Sequence, residues 1–189
     1  MLAAAAAAIA AILAIVIHGG GHLLLAHLLG IRFSRVCRTA TGFRLLTGEQ
    51  GFPSDLCEFF VTLGGPLFNV VSALFVRALF PPALSGTLLA SVCDVFVPLS
   101  FYLALLNVLP LRGFDGGGLL VCMLCVHHPP IPSLLPDTAE RVLSVCSALT
   151  LFLLWLVSVY LLLLCGSALS LYVFCAQLFR ATLPSEDVV

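Results

Sequence analysis

The sequence predicts an all-α polytopic membrane protein, with about five transmembrane or membrane-embedded helices and a small β-hairpin after the first. Three observations lead there. Hydrophobic residues make up 61% of the 189 residues and charged residues only 9%, with a mean hydropathy of +1.19, a composition outside the range of soluble domains. The apolar residues gather into runs long enough to cross a hydrocarbon core of about 30 Å. Arginine, proline and glycine clusters punctuate those runs. Eight arginines, no lysine and a net charge of −1 leave no basic surface for nucleic acid, so the arginines report membrane topology instead.

The first run, Leu2 to Leu29, opens on alanines that favour helix and lacks the basic start of a cleaved signal peptide. Within it stands His18-Gly19-Gly20-Gly21-His22. Four residues on a helix turn about 400° and rise about 6 Å, so both imidazoles leave one face a turn apart, as a grip for one divalent metal requires. Imidazole is costly in hydrocarbon unless it is paired, ligated or facing a wet cavity. Hydrogen bonding of the two rings to neighbouring helices is the competing reading, and spacing alone leaves both open. His27 lies about 180° round the helix from His18 and cannot join the same metal. Three consecutive glycines cost about 1 kcal/mol each against alanine, and close approach of a partner backbone or a substrate is one reason to keep them.

Ile31 to Gly51 carries Arg32, Arg35, Arg38 and Arg44 with short apolar alternations, which predict a surface hairpin turning near Thr39 to Gly42. The positive-inside rule assigns residues 31–58 to the cytoplasm, so the first helix runs inward. Phe59 to Phe80 is the second span, with Gly64-Gly65-Pro66-Leu67-Phe68-Asn69 in its first half. That stretch reads either as a glycine packing seam with an asparagine bridging helices or as part of a site. Pro81 to Gly86 is an outside turn.

The third span, Thr87 to about Leu109, returns inward and breaks at Asn107-Val108-Leu109-Pro110-Leu111-Arg112-Gly113-Phe114-Asp115-Gly116. Asp115 then opens a new segment at the depth of the histidines. It is a candidate N-cap and a candidate ligand at once. Asp94, the other intramembrane acid, lies about a third of the way in from the outer end of the third span, on the wrong side for the site.

Phe114 to His127 is too short to cross, at about 21 Å. The proline-rich stretch His128 to Arg141 reads as an extended outside loop, after which Val142 to Cys165 spans inward. Ser167 to Phe179 reads as an interfacial helix. Residues 1–180 thus form a single membrane-embedded domain and 181–189 a disordered tail. Six of the eight cysteines lie in apolar segments, where thiols act as small hydrophobes. Cys122, Cys125, His127 and His128 form a weak second metal candidate, since Val126 stands where a haem-attachment histidine would be.

Taken together, the histidine pair, Gly65-Pro66-Leu67-Phe68-Asn69, and Asn107 through Pro110 to Asp115-Gly116 resemble the site-2 protease family of intramembrane zinc metalloproteases. The family pattern is HExxH, G-P-x-x-N and N-x-x-P-x-x-x-x-D-G, and the likeness covers about Ile15 to Gly118. Short length and the arginine-bearing hairpin look most like the bacterial branch that includes the sporulation sigma-factor processing protease. The resemblance implies Zn²⁺ held by His18, His22 and Asp115, with a fourth position left for water whose pKa zinc lowers to about 7. It implies that Asn69, Asn107 and Pro110 serve substrate binding. The implied partners are a transmembrane or membrane-associated protein substrate, the lipid bilayer and a membrane regulatory partner, in a bacterial cell membrane with the site toward the cytoplasm.

The departure falls on Gly19, where the family has the glutamate that accepts a proton from water and passes it to the leaving amine. A glycine cannot do this, and loss of general acid/base help typically removes about 10² to 10⁴ in rate. Glu49 and Glu58 are substitutes only if the hairpin folds back. Three functions follow: a zinc intramembrane protease, a pseudoprotease that binds zinc and membrane substrates without hydrolysing them, and a metal-binding or transport protein. The last lacks a polar path across the bilayer, since only Asp94 and Arg77 are charged in the spans beyond the site.

Overall fold

The computed structural model describes residues 2–31, 33–39, 42–47, 52–80, 87–127 and 135–165. Helix α1 is Leu2–Leu28, α2 Asp55–Leu79, α3 Leu88–Val108, α4 Asp115–His127 and α5 Leu135–Cys165. Four of these contain stretches long and apolar enough to cross a membrane: α1, α2, α3, and Thr138–Leu164 within α5. Between α1 and α2 the backbones of β1, Phe33–Thr39, and β2, Gly42–Thr47, pair antiparallel with Val36 opposite Leu45. The segments 81–86, 167–179 and 181–189, Glu49, and the second metal candidate's His128 lie outside the described residues.

Local chemistry sets the helix ends. α1 stops in a reverse turn in which Ile31 N–H reaches back to the Ala26 carbonyl at 2.9 Å, and Gly30 takes the φ of 71° that this turn requires. Ser54 caps α2 by accepting from Cys57 N–H, and Asp55 and Glu58 follow in the first turn, where the helix dipole favours acids. Thr87 does the same for α3 through Ala90 N–H. α3 ends because Leu109 precedes Pro110 and is driven to extended backbone, φ −61° and ψ 138°. Gly113, at φ 78°, completes the break, and α4 starts two residues later.

α1 and α3 run side by side. Ala6, Ala10 and Ala14, one per turn, form a smooth stripe buried against Val92 and Phe96, with Val76 of α2 packed alongside. A second cluster closes the other end around Ala26, Ile31 and Val61. Midway, α1 and α2 cross backbone to backbone. A Cβ on Gly21 would strike the Gly64 carbonyl, and one on Gly64 would strike that of Gly21. Here two glycines are a condition of the crossing. The candidate centre lies between the two apolar clusters.

The last part of the chain departs from the sequence expectation in two ways. α5 begins at Leu135, so the end of the expected loop, Leu135 to Arg141, is helical. Pro136 is the second residue of that helix, a position where the missing N–H removes no intrahelical bond. The direction of α4 and α5 also differs. Gly118 packs on Thr62, a turn closer to the Asp55 end of α2 than Gly65, so α4 leads from the centre toward that end. α5 then runs back, bringing Leu143 to Gly117 and Ser147 to the Pro110 carbonyl at 3.1 Å. α4 therefore ends, and α5 begins, on the hairpin side of the bundle, whereas sequence reading put this stretch on the opposite side. Polar contacts fix it. Arg112 holds Glu140 and Ser144, and Ser147 holds the Pro110 carbonyl, so the first turns of α5 are fixed beside the loop that precedes α4.

Candidate metal centre

His18 and His22 project from α1 one turn apart, and Asp115 meets them from the first turn of α4. His18 Nε2 lies 3.1 Å from Asp115 Oδ2, His22 Nε2 lies 3.6 Å from the same oxygen, and the two Nε2 atoms are 3.3 Å apart. The ring planes stand nearly perpendicular, at 87°. Among the described residues this is the cluster whose ligand atoms converge closely enough for a metal ion, and no further acid joins it.

The triangle can be tested against zinc chemistry. Bonds of about 2.0–2.1 Å at tetrahedral angles set ligand atoms about 3.3 Å apart, and the three edges here are 3.1, 3.3 and 3.6 Å. The protonation pattern agrees for His22, whose Nδ1 is 2.7 Å from the Val61 carbonyl. The Gly65 N–H also faces this nitrogen, at 3.3 Å, but the carbonyl is much the closer partner and only accepts, so Nδ1 carries the proton and Nε2 offers its lone pair to the centre. Asp115 Oδ2 is buried, and no donor is aligned on it although two ring nitrogens are close. Lone pairs facing one another across such a gap suit a cation. The residues present fit zinc. Their side chains remain 19%, 17% and 20% exposed, which keeps a fourth position reachable.

α2 shapes the back of the site. Gly65 leaves room for both imidazoles, since a Cβ there would press on His18 Cε1 and the His22 ring. Pro66 withholds the N–H that would return to Thr62, one residue along from the carbonyl that takes up His22. Asn69, wholly buried, sets its carboxamide Nδ2 3.3 Å from His18 Nδ1 and leaves Oδ1 without a partner.

The other sequence candidates take different places. Asn107, on the last turn of α3, donates through Nδ2 to the Leu103 carbonyl at 2.9 Å, while its buried Oδ1 is unpartnered. Pro110 forms the break, and its carbonyl is occupied by Ser147. Asp94 lies with Arg77 and Cys93 along a cleft of about 240 Å³ between α2 and α3, at the end of α2 away from the cluster. Around Gly19 there is open space, with nothing within 4 Å of a Cβ placed there.

Sequence reading missed three supports. The Val61 carbonyl has no side-chain signal. Arg112 reaches Glu140 at 3.3 Å and Ser144 at 3.1 Å, and Ser147 holds Pro110, so α5 braces the loop that leads to Asp115. Charged and hydroxyl residues at the start of an apolar segment were the available hint. Compared with known proteins, the chain matches no family model and no curated protein.

Proposed function

We propose that this chain is a zinc-dependent intramembrane metalloprotease of the site-2 protease class, hydrolysing peptide bonds of membrane-embedded protein substrates. The observation that carries the reading is the convergence of His18 Nε2, His22 Nε2 and Asp115 Oδ2 on one tetrahedral face. The motif resemblance supplies the class, and the accessible fourth corner agrees with a catalytic rather than a closed structural site. In this reading the cell is bacterial, residues 31–58 and the centre face the cytoplasm, and a regulatory membrane partner is expected.

When bound, zinc would supply a Lewis acid for the scissile carbonyl and lower the pKa of water. The chain's own residues do the rest. His18, His22 and Asp115 hold the ion, and α2 keeps water and lipid from the back of the rings. Asn107, its Oδ1 buried, is held at the last turn of α3 by its bond to the Leu103 carbonyl, and the motif resemblance assigns it to substrate binding. Pro110 and Gly113 keep the chain out of helix beside it, giving substrate an edge of non-helical structure to meet.

Gly19 favours a second reading, a pseudoprotease that holds zinc and membrane substrates without cutting them, because no carboxylate beyond Asp115 joins the cluster among the described residues. One experiment separates the two. Zinc content and cleavage of a reconstituted transmembrane substrate are measured on the natural chain and on Gly19→Glu. Zinc in both with cleavage by the natural chain supports the protease; zinc in both with cleavage by Gly19→Glu alone, or by neither, supports the pseudoprotease. A natural chain that takes up no zinc refutes both.

A further inference from the structure

The two imidazoles are oriented from behind by one helix, in unlike ways. His22 leans on a backbone carbonyl, Val61, that no substitution removes. His18 meets a side chain, the Asn69 carboxamide, at 3.3 Å through its Nδ1. That amide is 0% exposed, and its other polar atom, Oδ1, has no partner. Nothing but His18 therefore decides which way round the carboxamide sits. A carboxamide turned over exchanges a donor for an acceptor in nearly the same volume.

The two orientations correspond to two states of His18. With Nδ2 donating to Nδ1, the ring proton is on Nε2 and points at the cluster, which blocks ligation. With the amide turned over, Oδ1 accepts from Nδ1–H, and the Nε2 lone pair faces Asp115 and His22, as a ligand requires. We propose that Asn69 is a positioning residue for the metal: its Oδ1 accepts the His18 Nδ1 proton and holds the ring in the tautomer and plane that bind the ion. The inference rests on the zinc reading above and assigns to Asn69 a place behind the ligand, in contrast to substrate binding. It also explains why an asparagine serves here. Asparagine matches His18 both with and without metal, whereas an aliphatic residue matches neither.

The test is zinc affinity, measured by competition with a chromophoric chelator on the full-length protein in detergent micelles, alongside thermal unfolding of the metal-free protein. Asn69→Leu keeps the volume and removes the acceptor. It is expected to weaken zinc binding about 10- to 100-fold. The metal-free unfolding midpoint should change little, because the lost contact with His18 Nδ1 is offset by burying leucine in place of an amide with one unmatched atom. Asn69→Asp, an acceptor for Nδ1–H, is expected to bind zinc within about tenfold of the natural chain. Asn69→Leu with affinity within about twofold of natural overturns the assignment. So does a fall in metal-free stability that accounts for the lost affinity, or a folded Asn69→Asp as weak as Asn69→Leu. If Asn69→Asp does not fold, Asn69→Leu decides alone. A natural chain with no measurable zinc affinity instead refutes the zinc reading.

Discussion

Gly19→Glu is the most informative perturbation of this protein, because the structure lets its benefit and its cost be separated. A Cβ at Gly19 meets nothing within 4 Å, so the new side chain enters without displacing a neighbour. Position 19 is about 100° round α1 from His18, beside the ligand face and off it. A carboxylate there can take a proton from the attacking water without competing for the ion. Restored general acid/base help is expected to raise the rate about 10²- to 10⁴-fold, or about 2.7 to 5.4 kcal/mol of barrier at 1.36 kcal/mol per decade. Placing a charge within a span costs about 2.5 to 3.5 kcal/mol on insertion scales, offset by about 1 kcal/mol for removing a helical glycine. That net loss lowers the folded yield, so turnover must be normalised to zinc-loaded protein. Gly20→Glu is the matched control. Its Cβ is equally unobstructed and its membrane cost equal, yet it lies a further 100° round the helix. In proteoliposomes with a helical membrane substrate, Gly19→Glu should cut at least about 10² faster than the natural chain per zinc, and Gly20→Glu should not. Equal rates for the two variants, or no gain at position 19 with zinc bound, would refute the argument.

Three further outcomes follow from the same geometry. Purified protein should hold about one zinc per chain by elemental analysis, and His22→Ala or Asp115→Ala should remove it; unchanged zinc in either would eliminate the three-residue centre. Single-cysteine variants should label from opposite faces of the membrane, Cys37 from the cytoplasm and Cys165, at the end of α5, from outside; labelling from the same face would reverse the placement of α4 and α5. Gly64→Leu should separate α1 from α2, because its first side-chain atom meets the Gly21 backbone, and overpacking of that kind typically costs about 1–3 kcal/mol; a natural unfolding midpoint in detergent would show that the crossing has slack.

The long spans and the three ligand candidates were legible because each has a strong physical signature. Twenty apolar residues have few other uses, and paired histidines or an acid at membrane depth are costly without a purpose. The stretch Gly64 to Asn69 was legible as something and not as what it is. A glycine seam and a bridging asparagine were indeed one reading, yet Gly64, Gly65, Pro66 and Asn69 here have separate tasks: contact with Gly21, clearance for the rings, a withheld backbone N–H, and contact with His18. Only the crossing of two helices turns those residues into a support. The direction of α4 was not legible at all. Hydropathy reports immersion in lipid and not heading, and a 13-residue apolar helix has no flanking arginine pair to orient it. The helix start at Leu135 was hidden by prolines, whose meaning reverses between a loop and a first turn.

The three ligand atoms do not belong to one mechanical unit. His18 and His22 ride on one helix, α1, which is locked against α2 at Gly21 and Gly64, where neither backbone has room to slide. Asp115 rides on a helix reached through a break, and the loop before it hangs on α5 by Pro110, Arg112, Glu140 and Ser147. α5 packs chiefly on α4, so it bears on the corner that Asp115 supplies and not on the helix that carries the two imidazoles.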